Sequence, residues 1–162
     1  MANKLEVSFN SPQCGWMSIG FDDGANEFHT TTAYTPHSQA LAEILKGLIS
    51  LLNFETAKDE FTIEWSRNPE AYNLQFKREG ENVHFEVVEF PSSNRINSES
   101  ETVFSYEGNT KDFCMAFAET FNQLYEDRDT DEFEFNWRQP FPFAEYEEFK
   151  KKCPTEKREL DD

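Results

Sequence analysis

The chain has 162 residues, about the span of one ordinary domain, and its 32 Asp and Glu against 15 Lys and Arg leave a net charge of −17. Hydrophobic residues are only 37% of the total, yet 17 Phe, 5 Tyr and 3 Trp supply enough large side chains to exclude wholesale disorder. Six Gly and seven Pro exclude a collagenous or low-complexity chain, and so negative a field argues against binding nucleic acid or an anionic membrane.

Met1 to Glu6 meets charge at once and has no apolar run, so no secretory signal is expected. Leu5, Val7 and Phe9 alternate with polar residues, the pattern of a half-buried strand. Met17, Ile19 and Phe21 mark a second strand, and Asp22-Asp23-Gly24 a turn. Phe28, Thr30, Thr32 and Tyr34 mark the returning strand. A two-residue loop at Asp23-Gly24 places Ile19 opposite Phe28. Thr35-Pro36 then opens a helix, with Thr as N-cap and Pro where no intrahelical bond is lost. Over residues 38–53, Leu41, Ile44, Leu45, Leu48, Leu51 and Leu52 follow the 3.6-residue period, so this helix must pack on a sheet. Glu43 and Lys46 interrupt its apolar run, which also falls short of the roughly 20 residues of a membrane span.

A second block repeats the pattern. Phe61, Ile63 and Trp65 form a strand, broken at Asn68-Pro69-Glu70. Tyr72, Leu74 and Phe76 form the next, and Val83, Phe85 and Val87 return after a turn at Glu79-Gly80. An even loop sets Phe76 opposite Val83 and Leu74 opposite Phe85, with Gln75 and His84 outside. Residues 91–101 are a polar loop and 102–106 a short strand. Asn109-Thr110-Lys111-Asp112 resembles a capping box, with Phe113, Phe117, Phe121 and Leu124 on the helix behind it, ending near Asp127.

The order is βββα, then ββββα. It predicts an α+β fold: a mainly antiparallel sheet of about seven strands, with two helices packed on one face and an extended aromatic segment at the C-terminus. One domain over residues 1–152 is expected, with a flexible charged tail over 153–162. Halves 1–55 and 60–127 also read as a divergent duplication, though no residue-level repeat supports it. In that final segment Phe133, Phe135 and Trp137 alternate, suggesting one more strand. Pro140 and Pro142 enforce extension, and residues 144–152 suit a short helix.

Motifs for chemistry are sparse. Cys14, Cys114 and Cys153 are odd in number and far apart, with no CxxC, so free thiols and a cytoplasmic location are expected. His29, His37 and His84 have no ligand partner at metal-site spacing, and no metal or cofactor is expected. Neither GxSxG nor a phosphate-cradling glycine loop is present. An enzyme would have to be built from residues such as His84, Asp22 and Cys14.

The sharpest functional signal is the acidic–aromatic stretch of residues 127–149. Asp127, Asp129, Asp131, Glu132 and Glu134 surround Trp137 and Phe141, a combination suited to a Lys- or Arg-rich protein surface. The same rings alternatively complete the protein's own core, or dock on a second copy of the chain. In size, acidity and lack of a catalytic motif the chain is similar to small immunity proteins that block nuclease toxins, although no diagnostic motif carries that likeness. The expected function is a non-catalytic protein that docks on a basic protein partner.

Overall fold

Alternating apolar residues become strands in the computed structural model, which describes residues 4–13, 15–33, 39–66, 70–92, 94 and 96–153. β1 (Glu6–Phe9), β2 (Trp16–Asp22) and β3 (Glu27–Ala33) form an antiparallel sheet in that order. Val7, Phe9, Met17, Ile19 and Phe21 line its buried face. After α1 (Ala40–Leu51) come β4 (Lys58–Ser66), β5 (Ala71–Glu79), β6 (Asn82–Phe90) and β7 (Glu101–Asn109), a second antiparallel sheet. α2 (Thr110–Glu126) follows β7 directly, and α3 (Phe133–Trp137) and α4 (Phe143–Lys152) complete the described chain. The expected helix start at Thr35-Pro36, with His37, lies outside the described residues.

The fold is α+β, as the element order implies. Among the described residues the single seven-stranded sheet is corrected to two sheets of three and four strands, and two helices become four. Each sheet carries one face of large apolar side chains, and stacking those faces hides both at once. The Phe21 ring centre lies 4.9 Å from Phe85 and 5.7 Å from Phe104 of the other sheet. Nor do the helices share one face: α1 packs on β4 and α4, whereas α2 packs on β1, β6 and β7. Phe117 of α2 meets Phe9 and Phe21 of the first sheet and Phe76 of the second, so one cluster joins all three elements.

Two hairpins differ from the expected register by two residues. Ile19 pairs with Thr30, and Phe21 faces Phe28. The turn has four residues because Asp23 accepts from the backbone N–H groups of Ala25 and Asn26, and Asp22 from that of Gly24. These bonds also hold the Asp23 carboxyl below its usual pKa. In the second hairpin Phe76 pairs with Phe85 and Leu74 with Val87, the turn falling at Gly80-Glu81. A shift of two leaves every side chain on its expected face.

That second register places Arg78 opposite Val83 and turns it inward, where it is 1% exposed. Its guanidinium donates to the carbonyls of Gly80 (2.9 Å) and Asn53 (3.1 Å) and to the Thr56 hydroxyl (2.9 Å). It also lies 5.2 Å from the centre of the Phe54 ring. Arg78 thereby ties the loop after α1 to the β5–β6 turn.

Gly47 lets α1 approach β4. A Cβ there would stand 2.3 Å from the Phe61 ring, which is itself stacked at 4.4 Å on Phe76 and has little freedom to retreat. Helix propensity alone favours Ala over Gly by about 1 kcal/mol. The clash reverses that sign: Gly47→Ala is expected to destabilise by about 1–3 kcal/mol in urea unfolding. An unchanged or raised midpoint would show that the ring yields freely.

The capping box is half realised. The Asn109 side chain accepts from the N–H groups of Lys111 and Asp112, and α2 ends where expected, at Glu126. Cys114 packs inside, and Cys153, expected to open the tail, is buried too. Burial raises both thiols, Cys153 to about 11 from an ordinary 9.0. The folded values exceed the unfolded ones, so this stability is complete below pH 9 and is lost as pH rises through 11. Stability measured by urea denaturation should therefore fall more steeply between pH 8.5 and pH 11 for the parent than for Cys114→Ala/Cys153→Ala. Parallel curves would contradict the assignment.

Candidate functional site

The rings of residues 127–149 divide into two groups. Phe133 and Trp137 are four residues apart and share the buried face of α3, while Phe135 between them points outward at 76% exposure. The expected strand through Phe133, Phe135 and Trp137 is corrected to a helix, in which the i, i+4 pair turns inward together. Trp137, 1% exposed, lies in the core and offers no ring to a partner, a second correction. Phe141 is half-buried, its ring centre 5.4 Å from both Phe133 and Tyr146 and 5.7 Å from Tyr125. Phe143, at the start of α4, is 48% exposed. Tyr146 and Phe149 face inward from α4.

The acidic loop between α2 and α3 is held by its own backbone. The Asp131 N–H donates to the Asp127 carbonyl and the Phe133 N–H to the Arg128 carbonyl, both at 2.8 Å. Glu132 and Arg138, with φ of 52° and 72°, are left-handed residues on either side of α3. Two carboxylates are engaged: Asp127 accepts from the Gln123 amide (2.6 Å) and Asp131 from the Ser11 hydroxyl (2.7 Å). Ser11, bonded to Asp131, and the Gly15 N–H, which donates to the Asn136 carbonyl, anchor the loop and α3 to the β1–β2 connection. Asp129, Glu132 and Glu134 project into solvent.

Two grooves of about 500 Å³ flank this loop. The first is lined by Phe133, Phe135, Phe141 and Phe143 together with Asp129, Glu132, Glu134 and Arg128. The second is polar, formed by residues 9–13 against Gln123, Asp127, Thr130, Asp131 and Asn136. Glu132 lines both. Of the expected docking residues, Asp129, Glu132, Glu134 and Phe141 thus meet in one groove, Asp127 and Asp131 in its neighbour, and Trp137 lies beneath. Within residues 127–149, the exposed rings that the sequence pattern did not single out are Phe135 and Phe143. Their signal was present in spacing: Phe135 falls between two residues that a helix must bury together. Arg128 was also passed over; its guanidinium stacks 3.7 Å from the Tyr125 ring centre at the groove's edge.

The weaker catalytic candidates occupy different places. His84 lies on the face of the second sheet away from the core, 3.0 Å from Glu86 and 3.8 Å from Glu107. Asp22 is engaged in the β2–β3 turn, and Cys14 lies outside the described residues. His29 pairs with Glu27 at 2.8 Å. Among the described residues no group of three or more His, Cys, Asp or Glu is arranged to hold a metal ion, and no helix is long and apolar enough to cross a membrane. No family model matches the chain, and neither a curated protein nor a solved structure matches it at a significant level.

Proposed function

We propose that this is a non-catalytic acidic binding protein that docks on a basic protein, in the manner of an immunity-type inhibitor covering the cationic active site of a nuclease toxin. The observation that supports the reading is the first groove, where exposed Phe135 and Phe143 stand among Asp129, Glu132 and Glu134. Apolar rings inside a charged rim are what an interface uses to combine affinity with orientation. The net charge of −17 adds long-range attraction for a cationic partner.

Capture from the native host at low salt, followed by a salt gradient, isolates the partner, and its association with purified protein is then timed. The triple variant Asp129→Asn/Glu132→Gln/Glu134→Gln should slow association about ten-fold at low salt, with the difference shrinking at physiological salt. Rates that ignore both salt and the substitutions would refute electrostatic docking. The exposed rings also suit self-association. Sedimentation showing a dimer that Phe135→Ala dissociates would favour a homo-oligomeric domain instead.

A further inference from the structure

Resting on that docking reading, we infer that the first groove receives arginine side chains of the partner, in preference to lysine. Two observations and the chemistry of the two cations converge. Phe135 and Phe143 present ring surface to solvent within the same groove as Asp129, Glu132 and Glu134. A guanidinium is planar and weakly hydrated. It can lie flat on a ring while its N–H fork meets a carboxylate, whereas a compact, strongly hydrated ammonium gains mainly from charge. The protein already stacks a guanidinium on this ring cluster: Arg128 lies on Tyr125, whose ring centre is 5.7 Å from that of Phe143.

The chemistry also selects against other occupants. Carboxylates at the rim repel a phosphate backbone, and a purely apolar segment would leave three charges partly desolvated without partners. A second copy of this chain would bring mostly acidic surface; a cation cluster among its described residues, Lys150, Lys151 and Lys152, stands at the end of α4.

The test uses the full chain and three blocked peptides identical except at two positions, occupied by Arg, Lys or citrulline. Binding is followed by backbone amide NMR shifts. The Arg peptide is expected to bind about five-fold more tightly than the Lys peptide, the value of one exposed cation–π contact. Citrulline, equal in shape but uncharged, should not bind measurably. Shifts should centre on Glu134, Phe135 and Phe143. Phe135→Ala should reduce the Arg preference to within two-fold while leaving the urea midpoint unchanged. Arg128→Gln, which removes the groove's own cation, should tighten binding of both charged peptides. Equal affinity for Arg and Lys, or shifts mapping elsewhere, would overturn this inference yet leave electrostatic docking intact. A captured partner whose association rate ignores salt would overturn the docking reading itself. Shifts that appear only with increasing protein concentration, without peptide, would assign the groove to a second copy.

Discussion

Phe117→Ala should lower the free energy of unfolding by about 3–5 kcal/mol, the cost of a cavity left by a large buried ring. The chain's total stability is on the order of 5–15 kcal/mol, so the variant should sit near its folding threshold. Few positions concentrate so much. Phe117 has no exposed surface, and its ring centre lies 5.1 Å from Phe113 on its own helix. It lies 6.1 Å from both Phe9 and Phe21, and 6.5 Å from Phe76. The substitution therefore removes contacts to both sheets at once. Urea unfolding followed by circular dichroism should show a single transition at a lower midpoint. Phe117→Leu, which keeps most of the volume, should cost about 1–1.5 kcal/mol. A variant with two separate transitions would mean that the sheets are independent units, and the account of a shared cluster would fail.

Arg78→Ala should cost about 2–4 kcal/mol, from lost packing of the buried stem and from hydrogen-bond acceptors left without their donor. The three acceptors are neutral and come from two separate turns, so the guanidinium works as a clamp more than as half of an ion pair. Arg78→Lys retains charge and length but not the fork. One ammonium cannot reproduce the spread of NH1 towards Gly80 and NH2 towards Asn53 and Thr56, so at least half the loss should persist. Hydrogen exchange should quicken first in the segment after α1. Full rescue by Lys would show that charge, not geometry, matters at this position.

Much of the fold was legible because local periods survive local errors. Both hairpins were expected two residues out of register, yet Met17, Ile19, Phe21, Leu74, Phe76 and Phe85 all face the core as expected. A slip of two returns each side chain to the same face; only a slip of one would have inverted the pattern. The partition into two sheets was not legible, since alternation tells a strand which face to bury and says nothing about its neighbour. β3 and β4 are consecutive strands on either side of α1, but no ladder joins them among the described residues. Arg78 was missed because the sequence shows a charge near a strand end, where solvent is the default, while the acceptors that draw it inward lie 22 and 25 positions away. At the candidate site the carboxylates were legible from composition. The rings were not sorted correctly because five residues carrying Phe133, Phe135 and Trp137 satisfy a strand's period and a helix's i, i+4 pair equally well. The loop's anchors at Ser11 and Gly15, more than a hundred residues distant, decide what the short segment cannot.

The passage from β7 to α2 leaves the chain no slack. Asn109 is at once the last strand residue and the cap whose side chain receives two helix N–H groups. One inserted residue after Thr110 would rotate the rest of α2 by about 100° about its axis and swing Phe113, Phe117 and Phe121 away from both sheets. Most joints between secondary-structure elements absorb such an insertion as a longer loop; here the sheet dictates the phase of the helix, much as a keyway sets the angle of a shaft.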